Sequence, residues 1–280
     1  MSTVPPAFAA RPLPHGRRGP RPALLGILLT GSALGALLLP PPASAVAAGS
    51  GMPSHQCVVN GRLAPPGAAV NGTPKNDRIE CENDVENVTI YGGGGDDYIR
   101  VKGLVIDSQV LGGDGKDTIQ TSHLFPRAGY STVRGNAGDD TIIVATVRGT
   151  TEHGATVYGD MGNDKITVGS VHGSPGEYER GGGQVFGNDG ADVITAGVID
   201  FGGRVLGGSE NDVIEAKGLG VETGGTIQGG PGKDTIRGIG KTVLLAGPGW
   251  GVVDGGLDVD NCVVRHANPA RARSTIASCP

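Results

Sequence analysis

Acidic residues are missing from the start of this 280-residue chain: no Asp or Glu precedes Asp77. Aromatic residues make up only 4% of it, so a globular core built on large rings is poorly supplied. Cysteine is confined to the two ends, as Cys57, Cys81, Cys262 and Cys279. No Gly-x-Ser-x-Gly or His-Glu-x-x-His occurs, and no stretch is left over for a separate catalytic domain, so an enzyme is not expected. The six histidines, His15, His55, His123, His153, His172 and His266, all lie outside the recurring motif described below. No short Cys-x-x-Cys spacing supports zinc. Glycine is abundant, at 52 residues, yet without the three-residue period of a collagen helix.

Only one long apolar run is present, Ala23 to Leu39. Arg11, Arg17, Arg18 and Arg21 precede it, and Ala43-Ser44-Ala45 follows as a small-residue cleavage pattern. Residues 1–45 therefore read as a secretory signal peptide, with a second candidate cut after Ala47. A membrane anchor is the competing reading, but the run is short for a span and contains Gly and Ser. The usual flanking residues of a twin-arginine signal are absent around Arg17-Arg18, so the export route stays open. Cleavage removes four bases and no acids, moving the net charge from −5 to −9. That charge argues against nucleic acid and anionic membranes as partners and favours multivalent cations. A secreted, extracellular protein with no membrane span after cleavage is expected, and its cysteines are expected to be disulfide-bonded. Of three connectivities, Cys57–Cys81 and Cys262–Cys279 are preferred, because each pair brackets one end of a repeat array.

The array is spelled by Gly92-Gly93-Gly94-Gly95-Asp96-Asp97-Tyr98-Ile99: two glycines, any residue, a glycine, any residue, an aspartate, any residue, a large aliphatic. The spelling returns at 112–119, 135–142, 159–166, 187–194, 207–214 and 229–236 with small departures, and in part at 72–79 and 255–262. The motif aspartates from Asp77 to Asp234 are separated by 20, 20, 23, 24, 28, 20 and 22 residues. A period near twenty with variable insertions is a solenoid signature. Two aliphatic columns recur: the motif isoleucine, and Ile90, Val110, Val133, Val157, Val185, Val205 or Ile227 two residues before each first glycine. At a strand spacing of about 4.8 Å, eight or nine coils would make a rod of roughly 40 Å. Insertions such as Gly173 to Tyr178 and Ser122 to Ala128 are expected to emerge as loops opposite the glycine turns.

Eight aspartates stacked about 5 Å apart would repel one another without a cation. Calcium takes six to eight oxygens and accepts backbone carbonyls with carboxylates, which glycine turns can supply. Magnesium demands a stricter octahedron, and zinc or copper would want the His or thiolate that the motif lacks. An acid pair such as Asp96-Asp97 or Asp139-Asp140 reads as one ligand beside one solvent-facing acid, since adjacent residues in an extended turn point apart.

These motifs resemble the RTX, or hemolysin-type, calcium-binding repeats of secreted proteins, over about residues 70–262. The resemblance implies an all-β, right-handed parallel β-roll or β-solenoid of eight to nine coils, here with disulfide-closed end caps. It implies calcium held between neighbouring turns, about five to seven ions. The ligand aspartates it points to are Asp97, Asp117, Asp140, Asp164, Asp192, Asp212 and Asp234, with Asp77 and Asp260 in the partial copies and Asp114 and Asp189 inside two turns. Ligand carbonyls are implied at Gly92, Gly94, Gly95, Gly112, Gly115, Gly135, Gly138, Gly159, Gly162, Gly187, Gly190, Gly207, Gly229 and Gly232. Family arrays often set nonapeptides back to back. Here each alternates with eleven or more plain residues, which implies a single calcium-bearing edge. The expected organisation is a signal peptide (1–45), a linker and N-terminal cap (46–70), the solenoid (71–262) and a C-terminal cap (263–280). The expected function is calcium binding coupled to folding, in a structural or interaction role. A calcium-dependent carbohydrate- or surface-adhesion module and a polysaccharide lyase are the alternatives. Outward positions Arg100, Gln120, Ile143, Thr167, Thr195, Glu215 and Arg237 are too mixed for a regular adhesive strand face.

Overall fold

The coils run through two sheets, and they stack so that strands hydrogen-bond to their equivalents in neighbouring coils. The computed structural model describes residues 55–150, 152–173, 182–220, 224–247, 251–269 and 273–279. The expected signal peptide, the first part of the linker, most of the 173–178 insertion and Trp250 lie outside the described residues. Among the described residues there is no α-helix, and the architecture is a parallel β-solenoid of about eight turns.

One sheet holds the strands that follow each aspartate, among them Tyr98–Val101, Thr118–Leu124, Thr141–Arg148, Lys165–His172 and Val193–Asp200. The other holds the strands that enter each glycine turn, among them Gln109–Asp114, Ser131–Ala137, Ala155–Met161 and Gln184–Asp189. Register is set by the aliphatic alternation: Ile79, Ile99, Ile119, Ile142, Ile166, Ile194, Ile214 and Ile236 pair in succession, and Cys262 ends the row. All eight isoleucines are fully buried. On the facing sheet the row from Val70 and Ile90 through Val205, Ile227 and Val253 is likewise buried, so the two expected columns close on each other. Slipping either strand by one residue would turn the whole row outward, which is why the alternation fixes the stack.

A third buried row was not expected. Val85, Val105, Leu124, Val147, Val171, Ile199, Leu219 and Ala246 align in the first sheet, all essentially inaccessible. This corrects the reading of Ser122 to Ala128 as a loop. Ser122, His123 and Leu124 continue the strand from Thr118, and the Phe125 amide still donates to the Val105 carbonyl at 2.9 Å. Only the residues after that turn the corner. The gain is apolar: Leu124 adds a full side chain to a core short of aromatics.

The ends are closed as the cysteine positions suggested. Cys57–Val59 lies antiparallel to Arg78–Cys81, with Cys57 opposite Cys81 and disulfide-bonded to it. At the other end Cys262, in the strand Asn261–His266 of one sheet, bonds Cys279, just beyond the strand Thr275–Ala277 of the other. Both caps tie down strands that would otherwise offer open sheet edges.

Candidate functional site

The glycine turns carry the site. At the second motif position φ is positive in every complete copy: 118° at Gly93, 123° at Gly113, 78° at Asn136, 80° at Asp160 and 80° at Asn188. The missing second glycines are thus no defect. Asn and Asp are the side chains that best tolerate this left-handed backbone. The first glycine answers a different need, that of close approach. A Cβ on Gly92 would run into Asp97 Oδ2 and the Gly112 carbonyl oxygen, and the same pair of collisions recurs at Gly112, Gly135, Gly159, Gly187, Gly207 and Gly229. A carboxylate oxygen of one coil and a carbonyl oxygen of the next therefore converge beside each first glycine.

All nine motif aspartates, from Asp77 to Asp260, are buried. Their first oxygens form a continuous chain: the backbone N–H of each aspartate donates to Oδ1 of the aspartate one coil on. The run starts with Asp77 to Asp97 at 2.7 Å and ends with Asp234 to Asp260 at 2.9 Å. The carboxylate thereby takes an amide that the strand ladder leaves unpaired at the turn. The second oxygens are different. Oδ2 of Asp97, Asp117, Asp140, Asp164, Asp192, Asp212, Asp234 and Asp260 is buried with no hydrogen-bond partner. An unpaired buried carboxylate oxygen is costly unless a proton or a cation meets it.

The titration of the column reflects this. Burial, followed by the charges of neighbouring carboxylates, pushes Asp140 up to about 8, and Asp164, Asp192 and Asp212 to about 7. Asp97 rises to about 6 for the same reasons. Burial also raises Asp117 and Asp234. Asp77 behaves in the opposite way. Burial pushes it up, but hydrogen bonds from Asn60 and Thr73 outweigh that and hold it below the ordinary value. Its Oδ2 accepts from the Thr73 hydroxyl at 2.8 Å and from the Thr73 amide, and its Oδ1 from Asn60. Asp77 is thus satisfied from within the chain, at the end of the column.

The donor set suits a hard cation. Among the described residues no three His, Cys, Asp or Glu side chains gather, so any ion here is held by carbonyls with one or two carboxylates. That all-oxygen mixture, with buried oxygens lacking partners, fits calcium and not zinc or copper. Asp114 and Asp189 are exposed and stand apart from the buried column. Asp96 and Asp139 also face solvent, and each accepts an amide from the next coil, Lys116 at 2.9 Å and Asn163 at 2.9 Å. Glu210, in place of a glycine, holds φ at 79° and adds a charge near Asp192 and Asp212. His172 closes the strand that Lys165 opens beside Asp164, so it stands at the far end of that strand from the column.

The sequence model described as RTX calcium-binding nonapeptide repeat (4 copies) matches residues 86–101, 127–145 and 220–238. Those segments contain Asp97, Asp140 and Asp234, three of the aspartates with an unpartnered Oδ2. Those segments carry RTX calcium-binding repeats. Neither a curated protein nor a solved structure matches it. The glycine turns at 112–119, 159–166, 187–194 and 207–214 fall outside the matched segments, yet they reproduce the same carboxylate chain and the same glycine collisions. The chain is a calcium-binding repeat protein built as a β-solenoid. Thr73 and Asn60 were missed as the cap of Asp77, because a two-residue contact across separate elements leaves no periodic signal.

Proposed function

We propose that this is an exported calcium-binding solenoid whose folding is coupled to calcium held between adjacent turns, acting outside the cell in a structural or interaction role. One observation carries the reading: eight successive buried aspartates each leave Oδ2 without a partner beside a carbonyl of the next coil, that of a first motif glycine for Asp97 to Asp234 and that of Ser278 for Asp260. Asp97 through Asp260 hold the coils together through Oδ1 and offer Oδ2, and the first glycines bring carbonyl oxygens to the same place. Calcium supplies the positive charge that offsets the repulsion along the column. Because such binding favours the folded chain alone, it stabilises by mass action. Extracellular calcium modules bind at about 10⁻⁴–10⁻³ M, so the chain stays largely unfolded at low calcium and folds after export.

The test is far-UV circular dichroism of residues 46–280, first with chelator and then with millimolar calcium. A gain of β signal and melting temperature on adding calcium is expected. Identical spectra and melting curves would reduce the aspartates to turn formers. Isothermal titration in the same buffer counts the ions, expected at about five to seven.

A further inference from the structure

We infer that a groove on the outer face of the glycine-entering sheet binds a neutral oligosaccharide. The groove encloses about 450 Å³. Its floor is a row of four polar side chains in register on successive coils, Gln109, Thr132, Thr156 and Gln184. None of the four side chains is engaged in a hydrogen bond among the described residues, although all are half-buried. Amides and hydroxyls repeated at the strand spacing of about 4.8 Å span three steps, and a pyranose unit is close to one step long. A sugar chain laid along the stack would thus meet the same donor and acceptor set at each unit.

The walls support this class of ligand. On one side stands Tyr130, 66% exposed, with His153 edge-on to it at 6.0 Å. An aromatic ring left open beside a polar floor is the pairing that a sugar needs, an apolar face for its C–H groups and polar partners for its hydroxyls. On the other side Tyr158 is braced by Phe186, stacked at 5.1 Å, and by the Arg134 guanidinium, 4.0 Å from its ring centre. Tyr158 is therefore held rigidly before any ligand arrives, which lowers the ordering cost of binding.

Charge selects against acidic chains. Arg134, the cation of the groove, is already paired with Asp160 at 3.0 Å. Glu152 stands exposed at the lip. A uronate chain would meet the Glu152 carboxylate, which lies 3.9 Å from His153 Nε2, and an arginine already paired, whereas a neutral chain meets no charge mismatch. The mixed outer row from Arg100 to Arg237 lies on the other sheet, which is why that row gave no sign of this surface.

The inference does not rest on the calcium reading and has its own test. The full secreted chain, its fold checked by circular dichroism in each arm, is titrated with cellohexaose, laminarihexaose and xylohexaose, and with a galacturonic acid hexamer. Saturation by at least one neutral hexaose at millimolar concentration or below is expected, with the acidic hexamer weaker. Tyr130→Ala should weaken binding about tenfold, the loss of one ring platform, at an unchanged melting temperature. The double variant Gln109→Ala with Gln184→Ala should weaken it by a similar factor. No binding of any neutral hexaose by the folded protein, tighter binding of the acidic hexamer, or affinities untouched by both variants would overturn the inference.

Discussion

The backbone amide of Asp117 donates to Oδ1 of Asp140, 2.7 Å away and one coil further on, while Oδ2 of the same carboxylate meets no partner. The two oxygens of Asp140 thus have separable duties, and an isosteric change tells them apart. Asp140→Asn keeps an oxygen for the Asp117 amide and removes the charge. It should raise the melting temperature of the chelated protein and lower calcium stoichiometry. Asp140→Ala removes both, and should lower stability in chelator as well, by about 1–3 kcal/mol for the orphaned amide. Equal loss of stability in chelator from the two substitutions would show that the charge is no burden.

The pH dependence of the calcium-free protein has a definite sign. Asp140 titrates near 8 and Asp164, Asp192 and Asp212 near 7 in the fold, against an ordinary value of 3.8. Between those limits the folded chain holds more protons than the unfolded one, so its stability falls as pH rises. In chelator the melting temperature should be higher at pH 5 than at pH 8. The increment given by saturating calcium should grow over the same range, because protons no longer compete for Oδ2. Scanning calorimetry checks both, and a chelated protein that gains stability from pH 5 to pH 8 would contradict the assignment.

Glu210 is the one residue at the fourth motif position between Gly95 and Gly232 that carries a Cβ, and it does so at φ 79°. Glu210→Gly should stabilise by about 1 kcal/mol through relief of the left-handed backbone. It also removes a charge that acts on Asp192 and Asp212, so the gain should be larger in chelator than in calcium. Asn136→Gly is the control, expected to change the melting temperature little, since Asn accepts this conformation. Thermal melts of the two variants decide it.

Leu124→Ala should cost about 2–5 kcal/mol, as a cavity in the third aliphatic row. Leu111→Ala, on the half-buried outer face of the other sheet, should cost clearly less. Urea unfolding of the calcium-loaded variants measures the difference, and equal costs would remove the third row from the core.

Leu124 also marks where the sequence stops being readable. The isoleucine and valine rows lie at fixed offsets from the glycine turn, so their alternation survives every insertion and is plain in the text of the chain. The third row stands five residues after the motif isoleucine from Leu124 to Leu219, but six at Val85 and Val105 and ten at Ala246, and strand pairing shows that Val105, Leu124 and Val147 are equivalents across that change of spacing. Asn136, Asp160 and Asn188 look like errors in the motif until their backbone angles are known. The aspartate column was legible from spacing, but the division of labour between Oδ1 and Oδ2 shows only in which oxygen accepts an amide. Gln109, Thr132, Thr156 and Gln184 each stand three residues before a first motif glycine and align in the sequence, but the groove itself was not legible, because Tyr130 and Glu152 in its walls come from the variable stretches.

The bond between aspartates has the same length, 2.8 Å, whether the two coils are separated by 20 residues, as at Asp97 and Asp117, or by 28, as at Asp164 and Asp192. The turn does not register how much chain lies behind it. A tandem duplication or deletion of one whole unit would therefore leave every remaining junction chemically identical, and growth at the far corner would leave the glycine edge untouched. Such a gene can drift in copy number and in loop content independently, so its cation capacity and its outer surface are free to evolve on separate clocks.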